Sequence, residues 1–314
     1  MALKTQILLF FVISCLSVSS KLIGNFVMPH GGIALDPTHF NTTNSTALKQ
    51  AWQIHKACIT VGKEISKLNP EVILLSTPHG IADLRNFVFY MNPTAEGFAD
   101  TDNCVCPPCC YNASINIDAN MTKMLINSLS QQGNVSGLSG FGPPGQSSEP
   151  FPLRWGEVVP VHFIPNLDSS DIKFLLLSQP SRRYTQDVQM IPELLKLGAS
   201  LYEILEASPK RIVLVISSDL AHTHLASGPY GYSKTSEPFD KACGRWAESL
   251  SGEFLTVMAA RVVDRALSCG FTGLVMLHGL MEAGGLDSWI PRLLVNHHPS
   301  YYGMMVASFH RQSA

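Results

Sequence analysis

The stretch Arg211-Ile-Val-Leu-Val-Ile-Ser-Ser-Asp-Leu-Ala-His-Thr-His224 decides the fold. Its first half is a short apolar, β-branched run, the pattern of a strand buried on both faces. Its second half turns abruptly polar at Ser217, Ser218, Asp219, His222 and His224. In an open α/β sheet, ligands gather just beyond the carboxyl ends of the strands. Two more stretches have the same build. Phe26-Val-Met-Pro-His30-Gly-Gly32 and Val72-Ile-Leu-Leu-Ser-Thr-Pro-His79-Gly80 each close an apolar run with Pro-His-Gly. Three strands that carry His30, His79 and His222 to one edge predict a site there.

Working outward, strands alternate with helices along the chain. Residues 47–68 hold Ala51, Trp52, His55, Cys58, Ile59, Gly62, Ile65 and Leu68 at three- and four-residue steps. That is an amphipathic helix, ended by Asn69-Pro70, with His55 read as a packed core residue. Further strands are expected at 158–164, 172–177 and 301–309, and helices at 119–129, 191–207, 237–250, 254–267 and 272–283. The alternation predicts an α/β fold. We expect a single three-layer αβα domain over residues 21–314, with a central, mostly buried sheet and a metal site at the strand C-terminal ends. Residues 93–150 are the least regular. They hold a cysteine cluster, three sequons and a Gly/Pro/Ser-rich run, and read as an insertion over the strand ends, either a lid or substrate-contacting wall or a disordered loop.

Composition narrows the class. The 314 residues are 46% hydrophobic, enough for a sizeable core, and a net charge of −2 with 15% charged residues gives no case for nucleic acid. Lys4, the apolar run 7–18 and Ser19-Ser20 form the pattern of a secretory signal peptide over residues 1–20. No later stretch is long and apolar enough to span a bilayer, so no membrane contact is expected once the leader is cleaved. Sequons begin at Asn41, Asn44, Asn112, Asn120 and Asn134, which predicts a glycoprotein that is secreted or held in the secretory-pathway lumen. Beyond the leader stand Cys58, Cys104, Cys106, Cys109, Cys110, Cys243 and Cys269. The cluster at 104–110 reads as disulfides in a surface loop or as a metal knuckle, with its pairing open.

Imidazole is a common ligand for zinc and iron. His30 and His79, each in a Pro-His-Gly bend, suit metal ligation, and His222 suits acid/base work. The bland alternative makes each a hydrogen-bonded strand-end histidine. Tyr230, Tyr232, Tyr301 and Tyr302 are candidates to contact an aromatic ring, and His224, His297 and His298 to line the pocket. A hydrolase is disfavoured, since no Gly-X-Ser-X-Gly elbow is present, and no Walker loop appears.

With those residues in place, the chain resembles the class III extradiol ring-cleaving dioxygenases, the superfamily of the protocatechuate 4,5-dioxygenase β subunit. The resemblance rests on Met28-Pro-His-Gly-Gly32, Ser76-Thr-Pro-His-Gly80, Gly156-Glu-Val-Val-Pro-Val161, Ser217-Ser-Asp-Leu-Ala-His222, Gly228-Pro-Tyr-Gly-Tyr232 and Tyr301-Tyr-Gly-Met-Met305. It covers most of residues 22–310 but not the insertion at about 97–150. It implies Fe(II) held by His30 and His79, His222 as acid/base, and a small aromatic diol and O2 as substrates. Two places depart from the family pattern. The expected glutamate ligand falls at Ser268-Cys-Gly-Phe-Thr272, so Cys269, Asp264 or Glu282 would have to serve, and a thiolate at Cys269 also suits Zn(II). An expected Asp-His pair is replaced by Arg154 and Trp155, with His162 as a substitute for the lost histidine. Memo-like proteins share the fold and keep open a secreted metal-binding or partner-binding protein without ring-cleaving activity. Substrate identity and a homo-oligomeric state stay open at this stage.

Overall fold

The fold is known from a computed structural model, which describes residues 21–131, 133–140, 149–167 and 170–312; the expected signal peptide lies outside the described residues. In chain order come β1 (Leu22–Met28), α1 (Ser45–Lys67), β2 (Val72–Thr77), β3 (Phe87–Tyr90), β4 (Thr94–Ala99) and β5 (Tyr111–Ile117). Next are α2 (Ala119–Leu129), β6 (Val135–Leu138), β7 (Phe151–Leu153), α3 (Trp155–His162), β8 (Lys173–Ser178), α4 (Arg183–Gln186), α5 (Ile191–Glu206) and β9 (Ile212–Ser217). The chain closes with α6 (Ser236–Ser249), α7 (Val263–Ala266), α8 (Phe271–Ala283), β10 (Trp289–His297) and β11 (Met304–Arg311).

The strands form one sheet in the order β10-β11-β1-β9-β2-β8-β5-β4-β7, with β3 beside β8 and β6 beside β3. Its centre is parallel: β9 pairs with β1 and β2, and β2 with β8. Alternate side chains of a strand point to opposite faces, and here both faces are buried. Val72 and Leu74 of β2, with Ile212, Leu214 and Ile216 of β9, join the core built with α2, α5, α6 and α8. Ile73, Leu75, Val213 and Val215 join the opposite core, under α1 and α3. The fold is therefore mixed α/β, with a large, mostly parallel sheet flanked by helices. No helix among the described residues is long and apolar enough to cross a membrane.

Three expectations need correction. Residues 158–164 were expected as a strand, yet they lie in and just after α3. Glu157 caps this helix by accepting the Arg154 backbone N–H, and the β-branched run packs all round instead of alternating. The irregular insertion contributes β4, β5, β6 and β7 to the sheet, so the disordered-loop alternative fails for its described part. Within it, the cysteine cluster links β4 to β5, with Cys104 bonded to Cys109 and Cys106 to Cys110. That excludes a four-thiol knuckle. Finally, residues 254–267 hold a π-helical segment, Glu253–Ala259, and the short α7 instead of one helix.

Candidate metal centre

Neighbouring strands stand about 4.8 Å apart, so the adjacency β1-β9-β2 decides which loop ends can meet. Met28 pairs with Ser217, and Ser76 with Ile216, which levels the carboxyl ends of all three strands. His30 follows β1 by two residues and His79 follows β2 by two. Their rings meet edge to face, with centroids 4.7 Å apart.

A proline fixes which nitrogen of His30 faces the site. Pro160 lies inside α3 and has no N–H, so the carbonyl of Gly156 four residues earlier loses its helical donor. The Ser217 hydroxyl donates to that carbonyl. Having spent its one proton, Ser217 Oγ accepts from His30 Nδ1–H, 2.8 Å away. Nε2 of the neutral ring is left with its lone pair. Two groups face it: Cys269 Sγ at 3.2 Å and Asp219 Oδ2 at 3.3 Å.

Cys269 precedes α8 and is brought to the end of β9 by close packing. A Cβ at Gly270 would lie 1.8 Å from Ser218 Oγ, so only glycine allows this approach. One ligand atom each from His30, His79 and Cys269 lie within 4.8 Å of one another. Two imidazoles and one thiol at that spacing fit a transition-metal ion that keeps open positions. Of the alternative acids, Asp264 lines a neighbouring cavity that His79 and Cys269 share but does not join the group of ligand atoms, and Glu282 is exposed at the end of α8.

The charges are consistent with ligands that stay neutral before a metal arrives. Burial, followed by the Arg183 guanidinium, holds His79 down at about 3. His30 is also pushed well below the ordinary imidazole value, first by burial and then by His79. Burial pushes the Cys269 thiol up to about 12 and the Asp219 carboxyl up to about 7. Asp219 Oδ1 accepts the His30 backbone N–H at 3.1 Å, which ties the Pro-His-Gly turn to the end of β9.

His222 stands beside this group. Its Nδ1–H is donated to the Leu220 carbonyl at 2.9 Å, so Nε2 of the neutral ring carries the lone pair. Burial lowers its value to about 4, outweighing the carbonyls of Leu220 and Leu267, which raise it. The residue is neutral near pH 7 and can take a proton. The site opens into a cavity of about 570 Å³ lined by His30, His79, Asp219 and His222 and walled by Trp155, Tyr230, Tyr301 and Tyr302. Tyr302 is buried and stacks near His222, with centroids 5.9 Å apart.

Other expected residues fall elsewhere. Tyr232 is 67% exposed. His224 and His298 do not line the cavity; their rings stack on each other, and His224 Nε2 bonds Asp240 Oδ2 at 2.8 Å. His297 ends β10, also off the cavity wall. His162 packs against Tyr111 and Phe163 and does not replace the lost histidine. In its stead Trp155 leans on His79, with ring centroids 5.0 Å apart, and Arg154 covers Trp155. All five sequon asparagines are exposed, although Asn44 also caps α1. Cys58 and Cys243 are buried free thiols, like Cys269. Sequence reasoning placed Asp219 at the strand end but not its carboxyl group against His30, and it passed over the buried Arg183 behind His79.

The family model described as the catalytic LigB subunit of aromatic ring-opening dioxygenase matches residues 25–307. A crystal structure of an uncharacterised protein from Escherichia coli K12 aligns with a TM-score of 0.54 at 12% identity. The match covers 91% of this chain and 99% of that one, and at this identity it shows a shared fold. No curated protein matches the chain.

Proposed function

The chain belongs to the LigB family of catalytic subunits of aromatic ring-opening dioxygenases, and from that premise we propose that it is a non-haem Fe(II)-dependent extradiol dioxygenase acting on a catechol-type ring. The observation that carries the proposal is the convergence of His30, His79 and Cys269 beside a neutral His222. In this reading His30 and His79 hold the metal through nitrogen and Cys269 through sulfur. Fe(II) there supplies the redox chemistry that lets O2 react with an aromatic ring.

The remaining work belongs to the chain. His222, held at Nδ1 by Leu220, accepts a proton from a diol hydroxyl at Nε2 and returns it later in the reaction. Tyr230, Tyr301, Tyr302 and Trp155 offer ring faces that orient an aromatic substrate and exclude water. The cavity volume suits a single-ring diol with substituents. Asp219 holds the His30 turn in place. The same reading puts the enzyme in the secretory pathway, supported by five exposed sequons and two disulfides.

One observation favours a second reading. Cys269 stands where a carboxylate is expected, and thiolate suits Zn(II) as well as iron. That fits a metal-binding or partner-binding protein without ring opening. O2 uptake on a panel of catechols after anaerobic Fe(II) loading separates the two. We expect uptake with a yellow ring-opened product, lost in His30→Ala. Absence of uptake from protein that holds one iron per chain would contradict the dioxygenase reading.

A further inference from the structure

We propose that His224, Glu237, Asp240 and His298 form a second metal site, which takes Zn(II) and fastens the His222 loop to the turn that carries Tyr301 and Tyr302. None of the four lines the large cavity, and the site does not depend on the ring-opening reading. One ligand atom each from His224, Glu237 and His298 lie within 4.8 Å of one another. The two rings are parallel, with centroids 3.9 Å apart and planes inclined by 4°. Nε2 of each ring faces a carboxylate oxygen. His224 meets Asp240 Oδ2 at 2.8 Å, and His298 meets Glu237 Oε2 at 3.2 Å.

The buried acid is the group that calls for a cation. Asp240 is only 4% exposed. Its Oδ1 accepts the Ala221 backbone N–H at 3.0 Å, and among the described residues its one ion-pair partner is the buried His224. Buried charges are paired or coordinate metals, and an imidazole carries a charge only when protonated. Glu237 is half-exposed. Its Oε1 meets Lys241 at 3.1 Å, an exposed pair of the kind that contributes little, and Oε2 is left for the site. Two imidazole nitrogens and two carboxylate oxygens are donors that Zn(II) takes, four in a structural site, and two carboxylates match its charge. Zinc draws its donors closer than these stand, and the half-exposed side chains of Glu237 and His298 have room to move.

Position gives the site its role. Glu237 and Asp240 stand three residues apart on α6, and so share a face. His224 follows His222 by two residues, and His298 lies between β10 and Tyr301. The backbone already joins these segments. His224 N–H donates to the Tyr301 carbonyl at 3.0 Å, and Gly303 N–H to that of Ala221 at 2.8 Å. An ion held by all four side chains cross-links α6, the loop of the proton acceptor and the turn of the aromatic wall. With no thiolate and two half-exposed donors, this site binds more weakly than the buried centre and fills after it.

Equilibrium dialysis of the tag-free protein against excess Zn(II) tests the site, beside the variants His298→Ala and Glu237→Ala, whose half-exposed positions leave the fold intact. We expect each variant to hold one zinc per chain fewer than the wild type. Asp240→Asn, which keeps the shape of the buried side chain, should weaken that same equivalent by about 10- to 100-fold. Equal zinc content in the wild type and both variants would overturn the site, whatever His30, His79 and Cys269 bind. Amide exchange reads the fastening. Excess zinc should protect residues 221–224 and 301–303 in the wild type, and that protection should be lost in His298→Ala. Exchange there that zinc leaves unchanged, while the extra equivalent is bound, would overturn the role in fastening the two segments.

Discussion

Ser217 has one hydroxyl proton, and the Gly156 carbonyl takes it because Pro160 has none to give. That choice settles the tautomer of His30 and presents Nε2 to Cys269 and Asp219. Groups that orient a ligand in this way commonly contribute 10- to 100-fold to metal affinity. Ser217→Ala should therefore weaken metal binding by about that range in a chelator competition while the fold persists; unchanged affinity would contradict the tautomer argument. Asp219 gives a pH signature in the metal-free protein. Its folded value of about 7 lies above the ordinary 3.8, chiefly through burial. A raised carboxyl stabilises the fold below the unfolded value and loses that contribution as pH rises through the folded one. Asp219→Asn does not titrate, so its stability relative to wild type should rise between pH 4 and 7, by about 2–4 kcal/mol. Denaturant midpoints at a series of pH values read this out, and a constant difference would refute it. His30, His79 and Cys269 were legible as residues because they follow strands or match a family position. The partner of each nitrogen was not, since Pro160, Gly156 and Ser217 come together only in three dimensions. Arg183 carried no motif at all.

At the scale of elements, the strands that matter were readable and the exceptions have physical causes. β2 and β9 open as continuous apolar runs, as strands buried on both faces must, and β1 breaks that pattern only at Gly24-Asn25. α3 was misread because Val158-Val-Pro-Val161 has strand composition, while its helical signal is one capping glutamate and a buried setting. β10 went unnoticed because Pro291 interrupts it. The sheet tolerates that proline because β10 is an edge strand. The pairing of α5 with α8 was invisible to periodicity, since α8 is apolar on every side. Small residues make that contact. A Cβ at Gly279 would lie 2.4 Å from the Leu195 carbonyl oxygen, and one at Gly198 would lie 2.1 Å from that of Met276. Gly279→Ala must push the two helices apart and should cost about 2–4 kcal/mol of stability. Chemical denaturation tests it, and a loss below about 0.5 kcal/mol would mean that the helices are not locked together there.

For the molecule as a whole, strand order converts a one-dimensional pattern into a site. His30, Asp219 with His222, and His79 are scattered over nearly two hundred residues, yet β1, β9 and β2 lie side by side in that sheet. Chain topology alone then puts their loops at one edge, and α8 closes the group with Cys269 from behind. Periodicity and the Pro-His-Gly repeats foretold that edge; the contributions of β4, β5, β6 and β7 to the sheet came from a stretch whose glycine-, proline- and cysteine-rich composition masks short strands. The most direct test of the centre is the absorption spectrum of the protein loaded with Co(II), which reports both stoichiometry and sulfur ligation. The account predicts one Co(II) per chain with an intense near-ultraviolet thiolate-to-cobalt band, absent from Cys269→Ser and accompanied by loss of binding in His79→Ala. Cobalt bound without that band, or the same band in Cys269→Ser, would contradict a centre built from His30, His79 and Cys269.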